Sequence, residues 1–258
     1  MRPPRVIAIA GTAEGTSQVA LAVGFGVALR RAGARVAVIE ADLERGSLAT
    51  VVGLEAAPSL ASVLAGRVPL ADALVGGPQD VRIVTGARGG SNQLGADAQR
   101  TLLAQIDALG DRYDVIIVSP AADRSTGTLF AVGAAHATVV VVAPERAAGG
   151  RTLETLRLLS SRVDDALGVV VHGASDAESA RADYVALVGR ARFGALARLA
   201  YLGWIPTGPE ATACWDPAAP AGRAVAALVG PWRQAPPARP HGGLQFFFEP
   251  LLAAREAA

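Results

Sequence analysis

Seven short apolar runs, built mainly of valine, isoleucine and alanine, recur along the chain without alternating with polar residues. They are Arg5-Val-Ile-Ala-Ile-Ala, Arg35-Val-Ala-Val-Ile-Glu, Val81-Arg-Ile-Val, Tyr113-Asp-Val-Ile-Ile-Val, Ala137-Thr-Val-Val-Val-Val-Ala, Leu167-Gly-Val-Val-Val-His and Ala200-Tyr-Leu-Gly-Trp-Ile-Pro. An unbroken apolar strand must be covered on both faces, which is the situation of a parallel sheet held between helix layers. Helical patterns fill the intervals, over 18–32, 98–109, 151–163, 177–190 and 221–229, with shorter stretches over 60–65, 70–74 and 126–135. In the first helix Val19, Val23, Val27 and Leu29 lie near one face, and Gly33 ends it. Strand, loop, helix and strand follow one another at about 30 residues per unit, as in a βαβ repeat. The expectation is a doubly wound α/β fold with a mostly parallel sheet of seven or eight strands and helices on both faces.

Composition narrows the chemistry. All 24 cationic residues are arginine, and the chain contains no lysine. A phosphate-loop lysine, a Schiff-base lysine and a Ser–Lys pair are therefore excluded. The formal charge of +1 gives no sign of a polyanion-binding protein, so no nucleic acid is expected. Hydrophobic residues make up 51% of the chain, a core-forming content. A single cysteine, Cys214, cannot close an intramolecular disulfide, and no Cys/His cluster suggests zinc. The run from Val6 to Ala10 is too short for a secretion signal, and no apolar run approaches ~18 residues. A cytoplasmic protein is expected, with a peripheral place at the membrane or cell pole left open. The organisation reads as one α/β domain over 1–232, a Pro/Gly linker over 233–243 and an aromatic segment over 244–258.

A sheet of this kind binds ligands beyond the carboxyl ends of its strands, first at the loop after the first strand. Here that loop is Ala10-Gly-Thr-Ala-Glu-Gly-Thr-Ser. A phosphate loop has the form G-x-x-x-x-G-K-[ST], in which backbone N–H groups cradle phosphate, the lysine neutralises charge and the hydroxyl holds magnesium. In this chain the first glycine position is Ala10, the second is Gly15, the lysine position is Thr16 and the Ser/Thr position is Ser17. Glu14 adds a carboxylate to a loop meant for anions; at ~4 Å and an effective dielectric of ~20 one such repulsion is ~4 kcal/mol. The frame of the loop is present and its charge chemistry is not.

Longer segments carry a resemblance. Beside the loop stand Arg31-Ala-Gly, Glu40-Ala-Asp-Leu, Val52-Gly-Leu followed by Leu60-Ala-Ser-Val-Leu-Ala-Gly, Val81-Arg-Ile-Val-Thr-Gly-Ala, Tyr201-Leu-Gly-Trp-Ile-Pro and Gly242-Gly-Leu-Gln-Phe-Phe-Phe-Glu. Together they resemble the MinD/ParA-type deviant P-loop ATPases, and within them the FlhG/FleN regulators of flagellar number. The tail is the most specific match, and the likeness runs from Val6 to Leu252. It implies the SIMIBI-type P-loop NTPase fold, a switch by nucleotide-dependent dimerisation and a C-terminal membrane segment.

The departures from the family pattern fall on its polar positions. The signature lysine falls on Gly11 and the phosphate lysine on Thr16. The first aspartate of the family's D-x-D falls on Glu40, and the second is kept as Asp42. The magnesium-organising aspartate falls on Ser119, within Val118-Ser-Pro-Ala-Ala-Asp, and the base-reading asparagine falls near His172. The resulting expectation is a vestigial pocket of Gly11, Glu14, Gly15, Thr16, Ser17, Glu40, Asp42, Ser119 and His172, with no catalytic residue, no metal and no cofactor. ATP and magnesium belong to the alternative, in which Thr16, Ser17, Asp42 and an arginine sustain slow hydrolysis. A pilus-localisation protein of the TadZ/CpaE type and a ParA-like positioning protein are further alternatives.

The remaining candidates have plainer readings. Asp42 reads as a loop carboxylate with local partners, His136 as a strand-end residue and Cys214 as packing beside Trp215. Helical spacing places Leu244, Phe247, Phe248 and Leu251 on one face, and with Phe246 and Leu252 they form a segment for docking on protein or on a membrane surface. Pro250 interrupts a continuous helix there, and no basic residue lies between Arg239 and Arg255. The function expected is that of a nucleotide-independent, MinD/FlhG-like pseudo-ATPase that binds proteins and regulates polar flagellum number or placement, or a related polar assembly. Its expected partners are an intact FlhG/FlhF-type homologue or a flagellar regulator, with a homodimer left open.

Overall fold

The computed structural model describes residues 4–12, 18–144, 149–163, 167–190, 199–208 and 210–232. The linker and the aromatic segment, including Leu244, Phe246, Phe247, Phe248, Leu251 and Leu252, lie outside the described residues.

The chain begins with β1 (Arg5–Gly11), α1 (Gln18–Arg31) and β2 (Val36–Ala41), followed by the short helices α2 (Leu48–Val52), α3 (Leu60–Leu64) and α4 (Leu70–Ala73). Next come β3 (Val75–Gly76), β4 (Arg82–Val84), α5 (Ala96–Asp107), β5 (Val115–Pro120), α6 (Thr126–Ala134) and β6 (Ala137–Val142). The remainder is α7 (Gly150–Ser160), β7 (Leu167–His172), α8 (Ala177–Arg190), β8 (Leu199–Ile205) and α9 (Pro220–Leu228), with a 3-10 turn at Ala211–Trp215 and another at Gly230–Trp232. One eight-stranded sheet has the order β3-β4-β2-β5-β1-β6-β7-β8. Every pairing is parallel except β3 with β4.

Side-chain alternation divides the core in two. Val6, Ala8 and Ala10 of β1 face one layer, with Val140 and Val142 of β6. Ile7 and Ile9 face the other, with Val139 and Val141. Helices α3 to α8 supply the first layer, and α1, α9 and the turn at Ala211–Trp215 supply the second. The unbroken strands of the sequence are thus buried on both sides, as a doubly wound sheet requires.

Helix α1 differs from the one-faced helix expected of it. Ten of its residues, from Gln18 to Leu29, are buried, because α9 and the Ala211–Trp215 turn close over the side away from the sheet. Gly24 makes that contact fit: a Cβ there would lie 3.0 Å from the Cys214 carbonyl oxygen. The Ala20 carbonyl accepts from the Trp215 indole at 2.7 Å and from the Cys214 thiol at 3.3 Å. Gly33 ends the helix in the left-handed region (φ 93°), as its place in the sequence predicts.

The Tyr201-Leu-Gly-Trp-Ile stretch is a β-bulge. Against β7 the register runs from Val169–Tyr201 straight to Val170–Gly203, which leaves Leu202 over. The extra residue resets the alternation. Leu202 and Ile205 therefore reach the layer of α1, while Tyr201 and Trp204 join Val171, Ala174, Ala180 and Tyr184 on the other face. Gly203 is held at φ 145°, and a Cβ there would lie 2.8 Å from Leu228 Cδ2. The Tyr184 and Tyr201 rings lie 5.0 Å apart, with the Arg181 guanidinium 5.9 Å above Tyr201.

Candidate functional site at the carboxyl ends of the strands

The parallel sheet delivers the sequence-selected positions to one edge. Gly11 ends β1 and is paired with Val141 of β6. Glu40 on β2 pairs directly with Ser119 on β5, and Asp42 follows β2. These residues share the sheet's central carboxyl-end region. Glu14, Gly15, Thr16 and Ser17 lie outside the described residues. His172 ends β7, two strands from β1, and is not brought to Glu40 and Ser119. It lines a separate cavity of about 100 Å³ with Thr207, Glu210 and Cys214. Burial lowers the His172 pKa, which favours the neutral imidazole.

Glu40 is the most enclosed charged side chain of this region, at 3% exposure. Its carboxylate accepts from the backbone N–H of Ser47 (2.8 Å), Leu48 (3.1 Å) and Gly86 (2.8 Å). Two of these donors lie at the start of α2, where a helix leaves its N–H groups open. Burial raises the Glu40 pKa; the three N–H groups oppose the rise and the nearby Asp42 adds to it. The side chain thus holds the start of α2 and Gly86, two residues past the end of β4, in place.

Asp42 has the local partners expected of a loop carboxylate. Its Oδ1 accepts from the N–H of Glu44 (3.0 Å) and Arg45 (2.9 Å) and from the Asn92 amide (3.1 Å). The Asn92 amide also donates to Asp123 Oδ2 at 2.9 Å. Asp123 Oδ1 in turn accepts from the Ser125 hydroxyl (2.6 Å) and the Thr128 hydroxyl (2.7 Å). Burial raises the Asp123 pKa; hydrogen bonds from Ser125, Thr128 and Asn92 outweigh it and leave the carboxyl below its ordinary value. Asn92 and Asp123 were not singled out by sequence. Asn92 sits in a Gly-rich loop with nothing around it to mark it, whereas Asp123 closes the Val118-Ser-Pro-Ala-Ala-Asp segment and could have been flagged.

Three buried polar atoms of this region have no partner among the described residues: Thr12 Oγ1, Gln18 Oε1 and Ser119 Oγ. Gln18, the first residue of α1, donates its amide to the Pro120 carbonyl, which ties the helix start to the end of β5. As placed, Glu40 is occupied by backbone N–H groups, Asp42 Oδ1 by the Asp42–Arg45 turn and Asn92, and Ser119 offers a neutral hydroxyl. These three do not make the carboxylate ligand set of a magnesium ion. Among the described residues no group of three or more His, Cys, Asp or Glu side chains is placed to hold a metal. No helix among them is long and apolar enough to cross a membrane.

Elsewhere the plainer readings stand. His136 precedes β6 and accepts the Val6 N–H on Nδ1 at 3.0 Å. Cys214 is more enclosed than its position beside Trp215 suggested, at 4% exposure, and burial pushes its thiol up to about 12.

Comparison with known proteins gives these features a context. No family model matches the chain. An uncharacterised ATP-binding protein of Methanocaldococcus jannaschii is 30% identical over 172 residues, which cover 66% of this chain and 64% of that protein. The antiactivator FleN of Pseudomonas aeruginosa is 32% identical over 147 residues, covering 56% of this chain and 52% of FleN. The matches thus span between half and two thirds of the length of these curated relatives. Among solved structures, a chain of the Aquifex aeolicus MinC:MinD cell division complex superposes with a TM-score of 0.68 at 24% identity, over 92% of this chain and 99% of that one. MinD of Pyrococcus horikoshii with Mg-ADP gives 0.68 at 22% identity, over 87% and 94%. Fold and relatives agree: the chain is a homologue of the MinD/ParA-family P-loop ATPases, FleN and MinD among them.

Proposed function

We propose that the chain is a nucleotide-independent member of this group, a pseudo-ATPase that acts by binding protein partners. The observation that carries the reading is the loss of charge from the site as a whole. The chain has no lysine to place at Gly11 or Thr16, and a buried neutral hydroxyl, Ser119, stands on β5 where a carboxylate would organise magnesium. Of the described acidic groups, Glu40 holds the N–H groups of Ser47, Leu48 and Gly86, and Asp42 those of Glu44 and Arg45. The likeness to FleN supports a setting in polar flagellum number or placement, or a related polar assembly. In such a protein one state is occupied without nucleotide, and competition with an intact homologue for shared partners becomes the mode of action.

A second reading is favoured by one observation. Thr12, Gln18 and Ser119 present polar atoms around the start of α1 that have no partner among the described residues, and a phosphate-bearing ligand would satisfy such atoms. In that case the chain is a MinD-like ATPase with an atypical loop. Calorimetry and thermal shift with ATP and ADP in magnesium separate the two. A ligand at 100 times its Kd adds ~2.7 kcal/mol of stability. No shift at millimolar nucleotide is the expected result. A shift that Ser17→Ala or Asp42→Ala abolishes would overturn the pseudo-ATPase reading.

A further inference from the structure

Two carboxylates from different loops meet at one nitrogen. Asp42 follows β2 and Asp123 follows β5, and Asn92 Nδ2 donates one hydrogen to each, at 3.1 and 2.9 Å. Neither carboxylate takes part in an ion pair among the described residues. Two carboxylates brought this close ordinarily need a cation between them, or one of them gives up its charge. A primary amide meets the same need in another way, because it directs two N–H dipoles at two separate acceptors.

The rest of Asn92 is as fully used. Its Oδ1 accepts the Leu43 N–H at 2.7 Å, its carbonyl accepts the Gly127 N–H at 2.9 Å, and the residue is 3% exposed. The backbone around it is interlocked. The N–H groups of Ala87, Gly89 and Gly90 donate to the carbonyls of Asp42, Glu44 and Leu43 at 2.9 to 3.0 Å, and Gly46 N–H donates back to Ala87 at 2.7 Å. A Cβ at Gly90 would lie 2.7 Å from the Leu43 carbonyl oxygen, and one at Gly127 would lie 2.6 Å from that of Asn92. In this arrangement both positions fit only glycine.

We propose that Asn92 is a built-in bridge standing in place of a cation, joining Asp42 to Asp123 and setting the loops after β2, β4 and β5 in one conformation with nothing bound. The inference rests on the Asn92 geometry and deepens the reading of a chain held in one state. It makes the carboxyl-end face of the sheet a permanent surface. The bridge is a positioning element, with no part in any reaction.

The test uses the full chain as wild type, Asn92→Ala and Asn92→Asp, by thermal melting in EDTA or magnesium chloride and by amide hydrogen exchange. Wild type should melt at the same temperature in both solutions, and exchange over 42–48 and 86–92 should be unchanged by magnesium. Asn92→Ala should speed exchange in both loops together, by about tenfold or more as expected for lost hydrogen bonds to charged groups, while β1 and β6 stay protected. Asn92→Asp keeps the shape and puts a third carboxylate between the other two, so it should melt lower in EDTA and gain a response to magnesium that wild type lacks. A wild-type protein whose loops are slowed by magnesium, an Asn92→Ala variant with unchanged loop exchange, or an Asn92→Asp variant indifferent to magnesium would each overturn the proposal. If Asn92→Ala does not fold, the wild-type and Asn92→Asp measurements decide alone. ATP binding by wild type would overturn the proposed function and leave this inference standing, provided the loops are already protected without ATP.

Discussion

At the scale of single residues, the acidic positions of the site separate by what their oxygens do. Glu40 serves the backbone: removing it as Glu40→Ala leaves the Ser47, Leu48 and Gly86 N–H groups without their acceptor, and denaturant unfolding should show a loss of about 3 kcal/mol or more. Asp123 has a folded pKa below its unfolded one, so its contribution is fully present above about pH 4 and is lost as pH falls through the depressed value. Asp123→Asn should therefore lower the melting temperature at pH 7 and flatten its fall with acid below pH ~4. Cys214, with its thiol pushed up to about 12 and buried against Ala20, should ignore thiol reagents at pH 8 in the native protein and react once after unfolding. Sequence alone reached Glu40, Asp42 and Ser119 through their places in a motif. It could not reach Asn92, because a side chain that bridges two distant loops leaves no local pattern.

At the scale of elements, strands were readable because each is apolar on both faces, and β7 and α8 run over the same residues in sequence and structure. Two elements had no such signal. The edge strand β3 is only Val75–Gly76, and α2 is a five-residue helix started by a carboxylate on another strand. The two glycines of α6 weakened its helical pattern; one of them, Gly127, is there because the Asn92 carbonyl leaves no room for a Cβ. The bulge in β8 was equally hidden, since its motif is recognisable without its geometry. Its demand is testable: Gly203→Ala forces a side chain into a φ of 145° and against Leu228, and should cost about 1–3 kcal/mol in chemical unfolding.

At the scale of the whole molecule, a chain that does not answer to nucleotide should keep one oligomeric state. Light scattering coupled to size exclusion should give the same mass with ATP, with ADP and with neither; a mass that doubles with ATP alone would return the chain to the switching ATPases. The sheet itself limits where a partner can join. Among the described residues it ends on one side at a two-residue antiparallel strand, and on the other at a strand whose register slips at Leu202. Short edges and bulges are both ways in which sheets resist further pairing. Growth by strand addition is thus discouraged at both of these edges.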